Sequence, residues 1–131
     1  MARLLNAPSE TLPREQRIAK RRDFVRAYEE GRKEISRYIV VFTLENGLGH
    51  PRIGVTATRK IGKAHERNRM KRWVREVYRR ERSALGLNPL SVDFVVNVKT
   101  NAVDANFRDF AEDLKRVLRR SAARRSATAK P

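Results

Sequence analysis

Between Arg59 and Arg82 the chain reads RKIGKAHERNRMKRWVREVYRRER, and winding this stretch into a helix separates its apolar residues from its cations. At about 100° per residue, Met70, Trp73, Val74, Val77 and Tyr78 fall in one arc, and Asn68, Lys71, Arg72, Arg75, Arg79 and Arg82 in the adjoining one. Such a helix, expected over about 66–83, has one side that must pack against another element and one that must stay in water. Eleven Lys or Arg against three Glu give the stretch a net +8, a charge density that calls for an anionic partner.

The whole chain carries the same sign. Its 131 residues suit a single core, and 31 Lys and Arg against 15 Asp and Glu leave a formal charge of +16, more than solubility requires. The expected partner is a polyanion. Of the two common ones, acidic membrane is disfavoured: no segment is apolar over the ~20 residues a span needs, and the first residues lack the apolar core of a signal peptide. The absence of cysteine excludes a disulfide framework and a thiolate metal site, which fits a cytoplasmic protein.

Residues 1–17 mix two prolines with polar residues and read as a loose extension. A first helix is expected over 22–30, with Phe24, Val25 and Tyr28 on one face, Asp23 in the first turn and Gly31 in a left-handed closing position. Residues 38–44 alternate as a strand, and 52–58 alternate as a second, expected to be its hairpin partner. After the cationic helix, Val92, Phe94, Val96 and Val98 mark a third strand. Asn101 with Asp104 then resembles a cap for a last helix carrying Phe107, Phe110, Ala111, Leu114, Val117 and Leu118. The Arg-rich, Ala- and Ser-rich residues 120–131 read as a disordered basic tail behind a single domain spanning 18–119.

The order helix, two strands, helix, strand, helix indicates an α+β sandwich with a mostly antiparallel sheet of three strands and room for a fourth. Two long helices bury the apolar sheet face. The opposite face carries Arg52, Thr56, Thr58, Asp93 and Asn97, only partly covered by the short first helix, which leaves a groove beside Phe24, Tyr28 and Phe42. Aromatic rings next to cations suit single-stranded nucleic acid, whose bases stack while its phosphates pair. Aromatics at such spacing are also the usual stuff of a core, so both roles stay open for these three.

RNRMKRWVRE, preceded by KIGKA, closely resembles the arginine-rich signature of the bacterial ribonuclease P protein-subunit family. KRRDFVRAYEEGR resembles that family's first helix, and YIVVFTL with RIGVTATRKIGKA its strand pair, so the likeness covers 18–119. Gly62, Arg67, Asn68, Lys71, Arg72 and Arg75 fall at the family's spacing. The resemblance implies a basic subunit that binds a large catalytic RNA and the 5′ leader of precursor tRNA. It assists removal of that leader, with Mg2+ held mainly by the RNA, no catalytic residue in the protein, no membrane, and no further protein partner required. It also implies an RNA-binding set of Arg59, Lys60, Lys63, Arg67, Asn68, Arg69, Lys71, Arg72, Arg75 and Arg79. The leader groove it implies is lined by Phe24, Tyr28, Phe42, Thr56 and Thr58. A left-handed β-α-β crossover, rare on general grounds, comes with the family.

Other functions leave weaker traces. A ribosomal or other structural RNA-binding protein shares the charge but needs no substrate groove. A helix-turn-helix DNA binder lacks the short preceding helix, and a self-sufficient nuclease lacks a convergent acidic or histidine site. His50, in a turn, and His65, in a basic loop, have no partner ligand in the sequence. Asp109, Glu112 and Asp113 read as the solvated face of a helix N-terminal half, and Trp73 as core.

Overall fold

The computed structural model describes residues 12–129, and the side chains only as far as 124. Most of the expected loose extension, residues 1–11, and residues 130–131 lie outside the described part. The elements are α1 (Arg21–Glu30), β1 (Arg32–Ile35), β2 (Ile39–Glu45), β3 (Arg52–Thr56), α2 (Ala64–Glu81), β4 (Val92–Val98) and α3 (Phe107–Ala129). Single 3-10 turns at Arg14–Gln16, Arg59–Ile61 and Thr100–Asp104 lead into longer segments.

The sheet order is β1-β2-β4-β3, antiparallel except for the parallel β3–β4 pair. The expected β2–β3 hairpin does not form, because β4 lies between the two. The reason is burial: Val92–Phe94–Val96 on one side and Val95, between Asp93 and Asn97, on the other leave β4 covered on both faces, and such a strand belongs in the middle of a sheet. The fourth strand, β1, is an edge strand of four residues with only Glu34 buried.

Register sorts each face into rows. On the core face, Ile53–Phe94–Thr43 and Val55–Val96–Val41 lie in line across the strands. They are covered by Met70, Val74, Val77 and Tyr78 of α2 and by Phe110, Leu114, Val117 and Leu118 of α3, all buried. Each such side chain contributes ~1.5–3 kcal/mol by leaving water. Trp73 is only half-buried, edge-on to Phe107 at 5.3 Å. On the other face, α1 covers a small second core of Ile18, Ala27 and Val95 with Phe24 and Phe42 packed against it.

Several local expectations are corrected. Gly31 has φ −78°, not a left-handed angle. Its requirement is space, since a Cβ there would lie 2.5 Å from the Ala27 carbonyl oxygen and 3.2 Å from that of Thr43. The cap of α3 is Asn106, whose Oδ1 accepts from the Asp109 amide at 2.8 Å, not the Asn101–Asp104 pair, which lies in the preceding turn. Residues 12–17 are not loose: Leu12 is buried in the main core, and the Ile18 amide donates to the Ile53 carbonyl at 2.9 Å, covering the outer edge of β3. Nor does order stop at residue 119. The helix runs on to Ala129, Ser121 is fully buried, and Arg120 and Arg124 reach the buried Glu34 carboxylate at 3.3 and 2.8 Å.

Candidate nucleic-acid interface

With the apolar arc of α2 facing the sheet, its cationic arc faces outward. Asn68, Arg72 and Arg75 are exposed, and Arg67 and Lys71 half-exposed beside them. Among the described residues no carboxylate pairs with Arg67, Lys71, Arg72 or Arg75. Arg79 differs: its Nη2 is 2.5 Å from Glu76, which also holds Arg80 at 2.7 Å. The Arg79 hydrogen bond, with the charges of both arginines, keeps the Glu76 carboxyl below its ordinary value. Arg59, Lys60 and Lys63, all exposed, extend the cationic surface back through the turn before the helix. That turn needs Gly62, at φ +145°, where any Cβ would strike the Glu66 carboxylate that accepts from the Lys63 amide at 2.8 Å.

Arg69 leaves this group. Its Nη2 donates to the Val103 carbonyl at 2.8 Å and its guanidinium lies 5.3 Å from the Trp73 ring, so it ties α2 to the turn before α3 on the opposite flank. Arg17 joins instead: an open cleft of about 410 Å³ is lined by Leu12, Arg17, Arg72, Arg75, Glu76 and Arg79. Sequence reasoning passed over Arg17 because it stood in a segment taken as an extension.

The groove lies on the face under α1, and three rows define it. Arg52 and Asp93 make up the first: Arg52 Nε and Nη2 reach the Asp93 carboxylate at 2.8 and 2.7 Å, and Asp23 of α1 stands 3.5 Å from Nη1. This salt bridge, chiefly the Asp93 hydrogen bonds, raises the Arg52 pKa further and occupies the guanidinium. In the second row, Gly54–Val95–Phe42–Lys33, α1 sits down on Gly54, Val95 and Phe42 and leaves Lys33 exposed. The third, Thr56–Asn97–Val40–Ile35, is touched by α1 through the Tyr28 hydroxyl at its Thr56–Asn97 end and is otherwise open, with Val40 half-buried and Ile35 exposed.

Tyr28 stands at the border of the open row, 37 % exposed. Its hydroxyl donates to Asn97 Oδ1 at 2.9 Å, so the Thr56 hydroxyl, 2.7 Å away, donates to Tyr28. Its ring meets Phe42 edge-on at 5.0 Å. The structure thus brings Phe24, Tyr28, Phe42 and Thr56 together but gives them different parts. Phe24 wedges α1 onto the sheet, while Tyr28 and Phe42 present ring to the groove. Thr58, exposed, lies past the end of β3, where the groove runs into the Arg59–Ile61 turn. Asn97 and Lys33 are additional residues here: Lys33 Nζ is 5.9 Å from the Phe42 ring centroid.

Of the α3 acids, Asp109 and Glu112 are exposed as expected, and only Asp113 departs. Asp113, expected on a solvated face, is buried and accepts from Ser36 Oγ, from the Tyr38 amide at 2.9 Å and from Arg116 at 2.6 Å, pinning α3 to the start of β2. Among the described residues no three His, Asp or Glu are grouped as metal ligands would be. His50 is half-buried with Nδ1 3.2 Å from the Pro51 carbonyl, and His65 is exposed. Nor is any described helix long and apolar enough to cross a membrane.

Comparison with known proteins gives this geometry a family. The model of the family Ribonuclease P matches residues 12–122. The Ribonuclease P protein component of Thermotoga maritima is 42 % identical over 88 residues, covering 67 % of this chain and 73 % of its own. That of Syntrophus aciditrophicus is 35 % identical over 104 residues, covering 79 % and 85 %. Among solved structures, the RNase P protein from Thermotoga maritima superposes with a TM-score of 0.72 at 35 % identity over 79 % of this chain and 96 % of that one. The Staphylococcus aureus RNase P protein does so with a TM-score of 0.71 at 33 % identity over 79 % and 92 %. A cationic helix, an aromatic-bordered groove on the far side of the same sheet and these matches converge on one conclusion: the chain belongs to the ribonuclease P protein family.

Proposed function

We propose that this protein helps a catalytic RNA remove the 5′ leader of precursor tRNA, gripping the RNA with the exposed arc of α2 and the leader with the open row under α1. Its family makes it the protein component of ribonuclease P, an RNA-based endoribonuclease, with the ribonuclease P RNA as partner. The observation that carries the reading is continuity. The open row ends at Thr56, and the chain passes directly through Thr58, Arg59 and Lys60 into the cationic helix, so one nucleic-acid surface turns the corner from groove to helix.

The chemistry follows from charge. Two RNAs held together repel through their phosphates, and a basic protein between them lowers that penalty and releases counterions. Magnesium stays with RNA phosphates in this reading, since the buried carboxylates Asp93 and Asp113 are already taken by arginines. The cytoplasm, where tRNA precursors are processed, is the proposed site of action.

The test is 5′ maturation of a precursor tRNA at low magnesium with the protein, the cognate RNA, or both. Cleavage is expected only when both are present, with the protein's benefit fading as magnesium rises. Cleavage by the protein alone, or no gain on adding it to the RNA, overturns the proposal.

A further inference from the structure

The β1 strand extends the groove. Lys33 and Ile35 are two apart, so both side chains stand on the face under α1, in register with Phe42 and Val40 of β2. Ile35 is 62 % exposed, beside a half-buried Val40, and no described element packs over it. Lys33 is exposed, has no carboxylate partner among the described residues, and holds its ammonium above the Phe42 ring. Glu34, the one acid of the strand, points to the opposite face and is consumed by Arg120 and Arg124. The outcome is an apolar step with a cation at its side that no described carboxylate on its own face neutralises.

We infer that Lys33 and Ile35 form a shelf that takes one more leader nucleotide, a phosphate at Lys33 and a base against Ile35 and Val40, beyond those in the groove proper. The inference rests on the groove reading above. Distance supports it. Four strands at ~4.8 Å spacing carry the open row ~14 Å from Thr56 to Ile35, and the two β1 side chains are ~7 Å apart, close to one nucleotide step of an extended strand. Chemistry supports a nucleic acid over a second protein strand, because the edge carries exposed Lys33 and Arg37, charges that oppose pairing with another copy of itself.

The test is binding of precursor tRNAs with leaders of one to eight nucleotides to the holoenzyme, using wild type, Lys33→Gln, Ile35→Ser, the double variant, Lys33→Arg and Phe42→Ala. Wild-type affinity should climb with leader length and level off. In the double variant it should level off about one nucleotide earlier, roughly threefold to tenfold weaker at full length, with mature tRNA unaffected. Lys33→Gln should flatten the salt dependence for long leaders by about 0.7 in log–log slope, and Lys33→Arg should restore it. If Phe42→Ala lowers the series while the double variant follows wild type, the shelf is wrong and the groove stands. If neither changes leader dependence, the groove reading fails and the shelf with it. A dimer of the free protein that Ile35→Ser abolishes would assign the edge to self-association and overturn the inference.

Discussion

The Phe24 ring rests directly on Gly54: a Cβ on the glycine would lie 2.9 Å from both Cε1 and Cζ of the phenylalanine. This contact seats α1 on β3 and thereby sets how much of the sheet remains open beside Tyr28. Gly54→Ala should therefore lift α1, costing about 1–3 kcal/mol by overpacking. It should also weaken leader-bearing tRNA more than mature tRNA. Thermal unfolding with paired binding titrations checks both, and an alanine tolerated without either effect contradicts this role for the glycine.

Glu34 holds the far end of α3 by two arginines from a buried position, so its removal should loosen that end without melting the domain. Glu34→Gln is expected to cost about 1–3 kcal/mol, because its partners are half-exposed and regain water. Amide hydrogen exchange should accelerate over 119–124 and stay unchanged in β4. Uniform acceleration throughout would show that Glu34 supports the whole fold instead.

Burial pushes the Tyr78 hydroxyl up to about 12 against the opposing pull of the nearby Arg82 guanidinium, and among the described residues that buried hydroxyl has no partner in good hydrogen-bond geometry. A raised pKa means the folded state keeps a proton that the unfolded state loses near pH 10, so the associated stability is intact below pH ~10 and drains away toward pH 12. Tyr78→Phe should be neutral or stabilising by up to ~1 kcal/mol at pH 7 and should soften the alkaline loss. Urea denaturation at pH 7 and pH 11 measures both, and an unchanged alkaline limb in the variant would contradict it.

The parts of the fold that a periodic pattern marks were legible. The buried and wet arcs of α2 were readable because charge and hydrophobicity change on opposite sides of one 3.6-residue period. The strand β1 was not, because Arg-Lys-Glu-Ile at a sheet edge has no apolar face to alternate with. The hairpin expectation followed sequence adjacency, although Val95 on the nominally polar side of β4 already marked a strand covered on both faces. The ordering of residues 120–124 was hidden because its cause, Glu34, is remote in sequence. Within the site, residue type named the cations but not their partners. Only the fold separates Arg72 and Arg75 from Arg69, turned to Val103, and from Arg79, held by Glu76.

The most direct measurement is the salt dependence of binding to the ribonuclease P RNA for wild type and for Arg72→Gln/Arg75→Gln. Both arginines are exposed, so the unfolding temperature should not move. Each lost duplex phosphate contact removes about 0.9 from the log–log slope, so the variant's slope should be shallower by about 1.8, with weaker binding at low salt. A stably folded variant with the wild-type slope and affinity would contradict the claim that this arc of α2 is the surface that holds RNA.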